Sequence, residues 1–107
     1  MENITKVIPQ VSLCHDIEGR RLRINVELPG VDEKKITMEM KKDSFCISAP
    51  RNGIEYSGYF LLDHEIEPDK TETRYENGVF KIITSFKGWE HWDRLREAFM
   101  GPPIVKG

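Results

Sequence analysis

Three histidines, two cysteines and a scatter of serines and carboxylates are the reactive side chains of this 107-residue sequence. A catalytic or metal centre needs several such groups converging on one point, and their spacing gives no such convergence. Cys14 and His15 are consecutive. On a strand they point to opposite faces, so they cannot share a metal without a third element. His15 and His64 stand on apolar strand faces, where a structural histidine is the expected role. His91 lies between Trp89 and Trp92 and is expected to face solvent. Ser57-Gly58 is not a G-x-S-x-G elbow, and no phosphate loop of the G-x-x-x-x-G-K-[ST] kind occurs. The eight glycines are scattered as single turn residues. The carboxylates fall in turns and on outward strand positions. No catalytic residue, metal site or cofactor is expected, and the chain is not read as an enzyme. Its chemistry is that of binding.

The elements that position these residues emerge from hydrophobic periodicity. "RLRINVEL" sets Leu22, Ile24, Val26 and Leu28 on one face and Arg21, Arg23, Asn25 and Glu27 on the other. "VSLCHDI" aligns Val11, Leu13, His15 and Ile17. "ITMEM" alternates Ile36, Met38 and Met40 with polar residues, and "SFCISA" alternates Phe45, Ile47 and Ala49. "YFLLDHEI", "TETRY" and "VFKIITSF" complete the series. A period of two marks half-buried strands. Between them, Glu18-Gly19, Pro29-Gly30, Lys42-Asp43, Asn52-Gly53, Pro68-Asp69 and Asn77-Gly78 supply turn chemistry. About seven short strands at this spacing predict an all-β, immunoglobulin-like antiparallel sandwich.

The period changes near the C-terminus. In "WEHWDRLREAFMGPP", Trp92, Leu95 and Phe99 fall at helical spacing, with Trp89 extending the stripe and Glu90 able to pair with Arg94. A short C-terminal helix is predicted. Being too short to stand alone, it should dock its stripe on the sandwich or on a partner. The expected organisation is a short N-terminal arm over 1–10, the sandwich over 11–87, and the helix and tail over 88–107.

Composition narrows the partners. Sixteen basic and eighteen acidic residues give a net charge of −2 and are interleaved along the chain. This excludes the basic footprint of a nucleic-acid binder. No apolar run approaches membrane-spanning length, so no membrane partner is expected. The opening "MENITKVIPQ" lacks a cationic segment followed by an apolar stretch, so no secretory signal is expected. Two cysteines outside any C-x-x-C arrangement suit a reduced, cytoplasmic chain.

Three blocks in order, "VELPGVDEKKITMEM" with "DSFCISA", the "EPDK" turn, and "TETRYENGVFKI", resemble the α-crystallin domain of small heat-shock proteins. The family's closing signature, Ala-x-x-x-Asn-Gly-Val-Leu, stands here as Thr73, Asn77, Gly78, Val79 and Phe80. The resemblance covers roughly residues 11–87. It implies a groove between the strand after the Leu-Pro-Gly-Val turn and the strand before the signature. By position, the groove walls are Ile36, Met38 and Met40 against Thr71 and Thr73. Methionine suits a promiscuous site because it re-packs around different guests; ordinary core packing is the competing role for these three. Two threonines make the groove more polar than is usual for the family.

The departures bear on assembly. The connection "PRNGIEYSG" is too short for the extra strand that many members swap into a neighbour. "PPIVKG" also lacks an Ile-x-Ile anchor. An edge-strand homodimer through about residues 55–66, with Tyr56, Tyr59 and Leu61 on that strand, is the assembly left open. The resemblance implies an ATP-independent holdase that binds unfolded or partly folded proteins. The alternative is a co-chaperone or adaptor of the CS-domain type, acting on other chaperones.

Overall fold

The computed structural model describes residues 4–16 and 19–87. They form eight strands: β1 (Thr5–Val7), β2 (Val11–Asp16), β3 (Arg21–Glu27), β4 (Thr37–Lys41), β5 (Ser44–Arg51), β6 (Ile54–Leu61), β7 (Ile66–Glu76) and β8 (Val79–Phe86). They make two four-stranded sheets, ordered β1-β6-β5-β4 and β2-β3-β8-β7. A single 3-10 turn, Glu33–Lys35, precedes β4; the Asp32 carboxylate caps it by accepting from the Lys34 N–H. The predicted sandwich is therefore present. The predicted C-terminal helix, with Trp92, Leu95 and Phe99, lies outside the described residues.

The core comes directly from the alternation. In β3, Leu22, Ile24 and Val26 are buried and every residue between them is exposed. Phe80, Ile82 and Phe86 of β8 join them from the neighbouring strand of the same sheet, and Phe45, Ile47 and Ala49 of β5 face them from the other sheet. β3 is a central strand, paired with β2 on one side and β8 on the other. That placement allows one face to be wholly apolar while the other carries charge.

Three expectations differ in detail. There are eight strands rather than seven. The additional one, β1, lies within the stretch read as an arm and pairs in parallel with Ile54, Glu55 and Tyr56 of β6. "YFLLDHEI" is not one strand. β6 ends at Leu61, and β7 begins at Ile66. Pro68-Asp69 is not a turn between strands. It lies within β7, where the register jumps from Glu67↔Ser85 to Glu72↔Ile83, so that residues 68–71 oppose Thr84 alone. Proline lacks an N–H and is tolerated at such a bulge on an edge strand.

Two of the sequence blocks meet in space. Asn77 (φ 51°) and Gly78 (φ 79°) both adopt positive φ and close the β7–β8 hairpin, as a type I′ turn requires. The Gly78 carbonyl accepts from the Leu28 N–H at 2.8 Å. A Cβ at Gly78 would stand 3.3 Å from Pro29 Cα. The "ENGV" hairpin thus packs against the Leu-Pro-Gly-Val turn. Gly30 in that turn has φ 76°, and the Arg51 guanidinium lies over it, 2.7 Å from where a Cβ would sit. Gly30→Ala forces a non-glycine residue into the left-handed region and pushes Arg51 aside. The expected cost is about 1–3 kcal/mol. It should be read as a lower urea midpoint at unchanged slope.

Candidate functional site

A sandwich of two open sheets has two long seams where edge strands face each other without hydrogen bonds. Here one seam lies between β4 and β7; at the other, β2 faces β6 where β6 runs on beyond its short partner β1.

The β4/β7 seam holds the residues named from sequence. Met38 pairs across the sheet with Ile47, and Met40 with Phe45. Directly opposed residues share a face, so both methionines point inward with the core. Ile36, Met38 and Met40 are half-buried and pack against the buried cluster. They belong to the core rim and also line the seam. On the other wall, Thr73 pairs with Ile82 and Tyr75 with Phe80, so both also face inward. Ile82 is fully buried while Thr73 remains exposed. An inward position that stays exposed marks where the seam opens.

The two threonines differ. Thr71 is half-buried, and its hydroxyl donates to Thr84 Oγ1 at 2.9 Å. Thr84 Oγ1, 1% exposed, donates in turn to the Glu67 carbonyl at 3.3 Å. The bulge therefore brings in Thr71 to satisfy a buried hydroxyl, as buried polar groups require. Thr73 alone presents a polar group to the seam's opening.

Tyr75, not singled out in the sequence, is also a wall residue. Its hydroxyl donates to the Leu28 carbonyl at 2.6 Å, tying β7 to the Leu-Pro-Gly-Val turn at one end of the seam. Tyr75→Phe removes that donor and should destabilise by about 1–2 kcal/mol, measured by thermal or urea unfolding. The inner-face residues of both walls are uncharged. Charges lie on the outer faces and in the turn, including the exposed pairs Arg74–Glu76 at 3.4 Å and Lys81–Glu76 at 3.2 Å. Exposed pairs of this kind contribute little to stability. An apolar floor with a charged rim suits an extended apolar segment flanked by polar residues.

The β2/β6 seam was not read as a groove. It encloses a cavity of about 480 Å³ lined by Pro9, Val11, Leu13, Phe45, Tyr59, Phe60, Leu61 and Leu62. Phe60 stacks on Phe45 with centroids 4.9 Å apart, and its ring covers Gly58 on the same face. Leu13 lies on the inner face yet is 44% exposed, because β2 is an edge strand. Tyr56, Tyr59 and Leu61 do lie on β6, but they do not share a face. Tyr56 packs on the core opposite Ala49, whereas Tyr59 and Leu61 point outward opposite Cys46 and Ser44. β1 covers the edge at Tyr56 and stops there, and among the described residues nothing pairs with residues 57–61 on that side.

His15 stacks on Phe86 with centroids 5.7 Å apart, and His64 meets both rings edge-on. The cluster closes one end of the sandwich, in keeping with a structural role. Among the described residues, no three His, Cys, Asp or Glu side chains are grouped to hold a metal ion, and no helix is long and apolar enough to cross a membrane. His91 and the stripe from Trp92 to Phe99 lie outside the described residues.

Comparison with known proteins places this geometry. No protein-family model matches the chain. A probable 15 kDa heat shock protein of Leptospira interrogans is 28% identical over 96 residues, covering 76% of this chain and 72% of the relative. Among solved structures, heat shock protein 16.0 from Schizosaccharomyces pombe superposes with a TM-score of 0.66 at 16% identity, covering 76% of this chain and 68% of the other. HSP18.5 from E. histolytica gives 0.69 at 14% identity, with coverages of 77% and 90%. A small heat-shock protein from Xylella fastidiosa gives 0.64 at 17%, with 77% and 88%. In sequence the chain is similar to a heat shock protein, and its fold is the α-crystallin-type sandwich of small heat-shock proteins.

Proposed function

We propose that this chain is an ATP-independent holdase of the small heat-shock type, binding unfolded or partly folded proteins along the β4/β7 seam and at open strand edges. The observation that carries this reading is Thr73, an inner-face residue left exposed opposite a fully buried Ile82 and across the seam from two methionines. An unfolded segment offers what such a seam lacks: apolar side chains for Met38 and Met40, and backbone groups for an unpaired edge. Selection is by exposed apolar character rather than by sequence, as flexible methionine surfaces favour. The reading places the chain in the cytoplasm and gives it no catalytic role. It includes a homodimer through the free part of the β6 edge.

One observation favours a second reading, an adaptor of the CS-domain type acting on other chaperones. β5 and β6 are joined by Asn52 and Gly53 alone, with Arg51 paired to Ile54, so no segment is available there to exchange with a neighbour. The two readings separate in a light-scattering assay of a heated model client, with this protein equimolar and no nucleotide present. The holdase suppresses aggregation. An adaptor leaves the client's scattering unchanged.

A further inference from the structure

We propose that Asn52 is a site of spontaneous covalent modification, in which the Gly53 backbone nitrogen and water convert its side-chain amide to a carboxylate and so loosen β1. The chain contains two Asn-Gly steps, Asn52-Gly53 and Asn77-Gly78, each filling a two-residue hairpin turn. At such a step the glycine amide nitrogen attacks the asparagine Cγ. The new N–Cγ bond closes a succinimide ring, and the side-chain nitrogen leaves as ammonia, taking up the proton of the glycine N–H. Water then opens the ring at either carbonyl. One opening gives aspartate; the other gives isoaspartate, in which the main chain runs through the side-chain carbons. Glycine favours the attack because it has no Cβ to obstruct it and an unrestricted backbone. The reaction consumes only water.

Cyclisation requires the turn to swing until the nitrogen reaches Cγ, and the two turns differ in their freedom to do so. Asn77-Gly78 is clamped. The Gly78 carbonyl accepts from the Leu28 N–H at 2.8 Å, and a Cβ at Gly78 would stand 3.3 Å from Pro29 Cα. The Tyr75 hydroxyl, donating to the Leu28 carbonyl at 2.6 Å, holds the same hairpin from its side. Asn52-Gly53 is open. Both residues are exposed, and a Cβ built at Gly53 would meet nothing within 4 Å. The Gly53 carbonyl accepts from the Thr5 N–H at 3.4 Å, longer than an ordinary amide bond. Lys35 and Arg51 line the same concavity as Asn52 and Gly53, so the new carboxylate forms among cations.

The change reaches β1 through that Gly53 carbonyl. β1 buries little, with Thr5 and Lys6 exposed and Val7 half-buried, so its hold on β6 is mainly that of backbone hydrogen bonds. Isoaspartate inserts a methylene into the main chain at the turn and displaces the carbonyl that meets Thr5.

The test is to hold the full chain at physiological pH and temperature and follow each asparagine by peptide mass mapping. The map reads the amide-to-acid mass change, and an isoaspartyl methyltransferase labels the rearranged product. In the folded chain Asn52 should convert at least about tenfold faster than Asn77, because the clamped step reacts only on local opening. In urea the two rates should converge. Asn52→Gln, at an exposed position, should remove the folded-state product. In the modified fraction, amide hydrogen exchange in β1 should rise while that in β3 and β8 is unchanged. Equal rates at the two steps in the folded chain would overturn the proposal, as would conversion at neither step until urea is added. Unchanged exchange in β1 after modification would overturn its link to that strand. No client enters these measurements, so their failure is distinct from failure of the holdase reading.

Discussion

Phe45→Ala is expected to destabilise the protein by about 3–5 kcal/mol, the range for deleting a fully buried phenyl ring. Phe45 is 1% exposed. It is also stacked on Phe60 at 4.9 Å and paired across the sheet with both Met40 and Phe60. Its removal costs the transfer energy of the ring and leaves a cavity that these neighbours cannot fill without moving. Phe60 lies over Gly58, so its drift would also expose backbone where β6 has no side chain. Against a total of about 5–15 kcal/mol for an ordinary domain, a loss of this size unfolds a substantial fraction of the protein near physiological temperature. Urea unfolding followed by far-UV circular dichroism measures it directly. A drop under about 1 kcal/mol would show that the two rings do not support each other as the geometry requires.

The second large effect concerns binding. Thr73 is an exposed residue on an inward-facing position of β7, so it can be exchanged without excavating the core. Thr73→Glu places a charge over the mouth of the β4/β7 seam and should weaken client protection about tenfold, since about 1.4 kcal/mol corresponds to one decade. Thr73→Leu adds apolar surface to the β7 wall and should strengthen protection by a similar factor. Both variants should unfold within about 0.5 kcal/mol of the parent, as exposed substitutions do. The readout is the molar ratio giving half-suppression of client scattering. Equal ratios for Glu, Thr and Leu would mean that clients bind elsewhere.

Much of this architecture was legible because strand alternation and turn chemistry are local. Leu22, Ile24 and Val26 mark their strand unaided, and Asn77-Gly78 encodes its turn in two residues that both take positive φ. What could not be read is set by pairing between distant segments. Thr5, Lys6 and Val7 are too few to show a period, and they become a strand only because β6 offers an edge. Pro68-Asp69 carries ordinary turn chemistry, yet pairing with β8 resumes beyond it, making it a bulge.

The candidate site divides in the same way. Ile36, Met38 and Met40 were named by resemblance, and the structure has them half-buried against the core; their use by clients is part of the proposal. Leu13 reads as core from alternation, but its exposure depends on β2 being an edge, which no local pattern states. Tyr75 looks like a turn flank until its bond to the Leu28 carbonyl is seen. The separate roles of Thr71 and Thr73 depend on a register shift that leaves no mark in the sequence.

The central claim is that unfolded proteins are held in the β4/β7 seam without nucleotide. Met38 faces into that seam and Glu39, its neighbour on the same strand, faces away, so the pair provides an internal control. The full chain carrying a benzophenone amino acid at position 38, or at position 39, would be irradiated with a heat-unfolding client in the absence of ATP. Abundant covalent adducts from position 38 and few from position 39 are predicted. Equal yields from the two positions, or none from 38 while the client is still protected, would contradict the account.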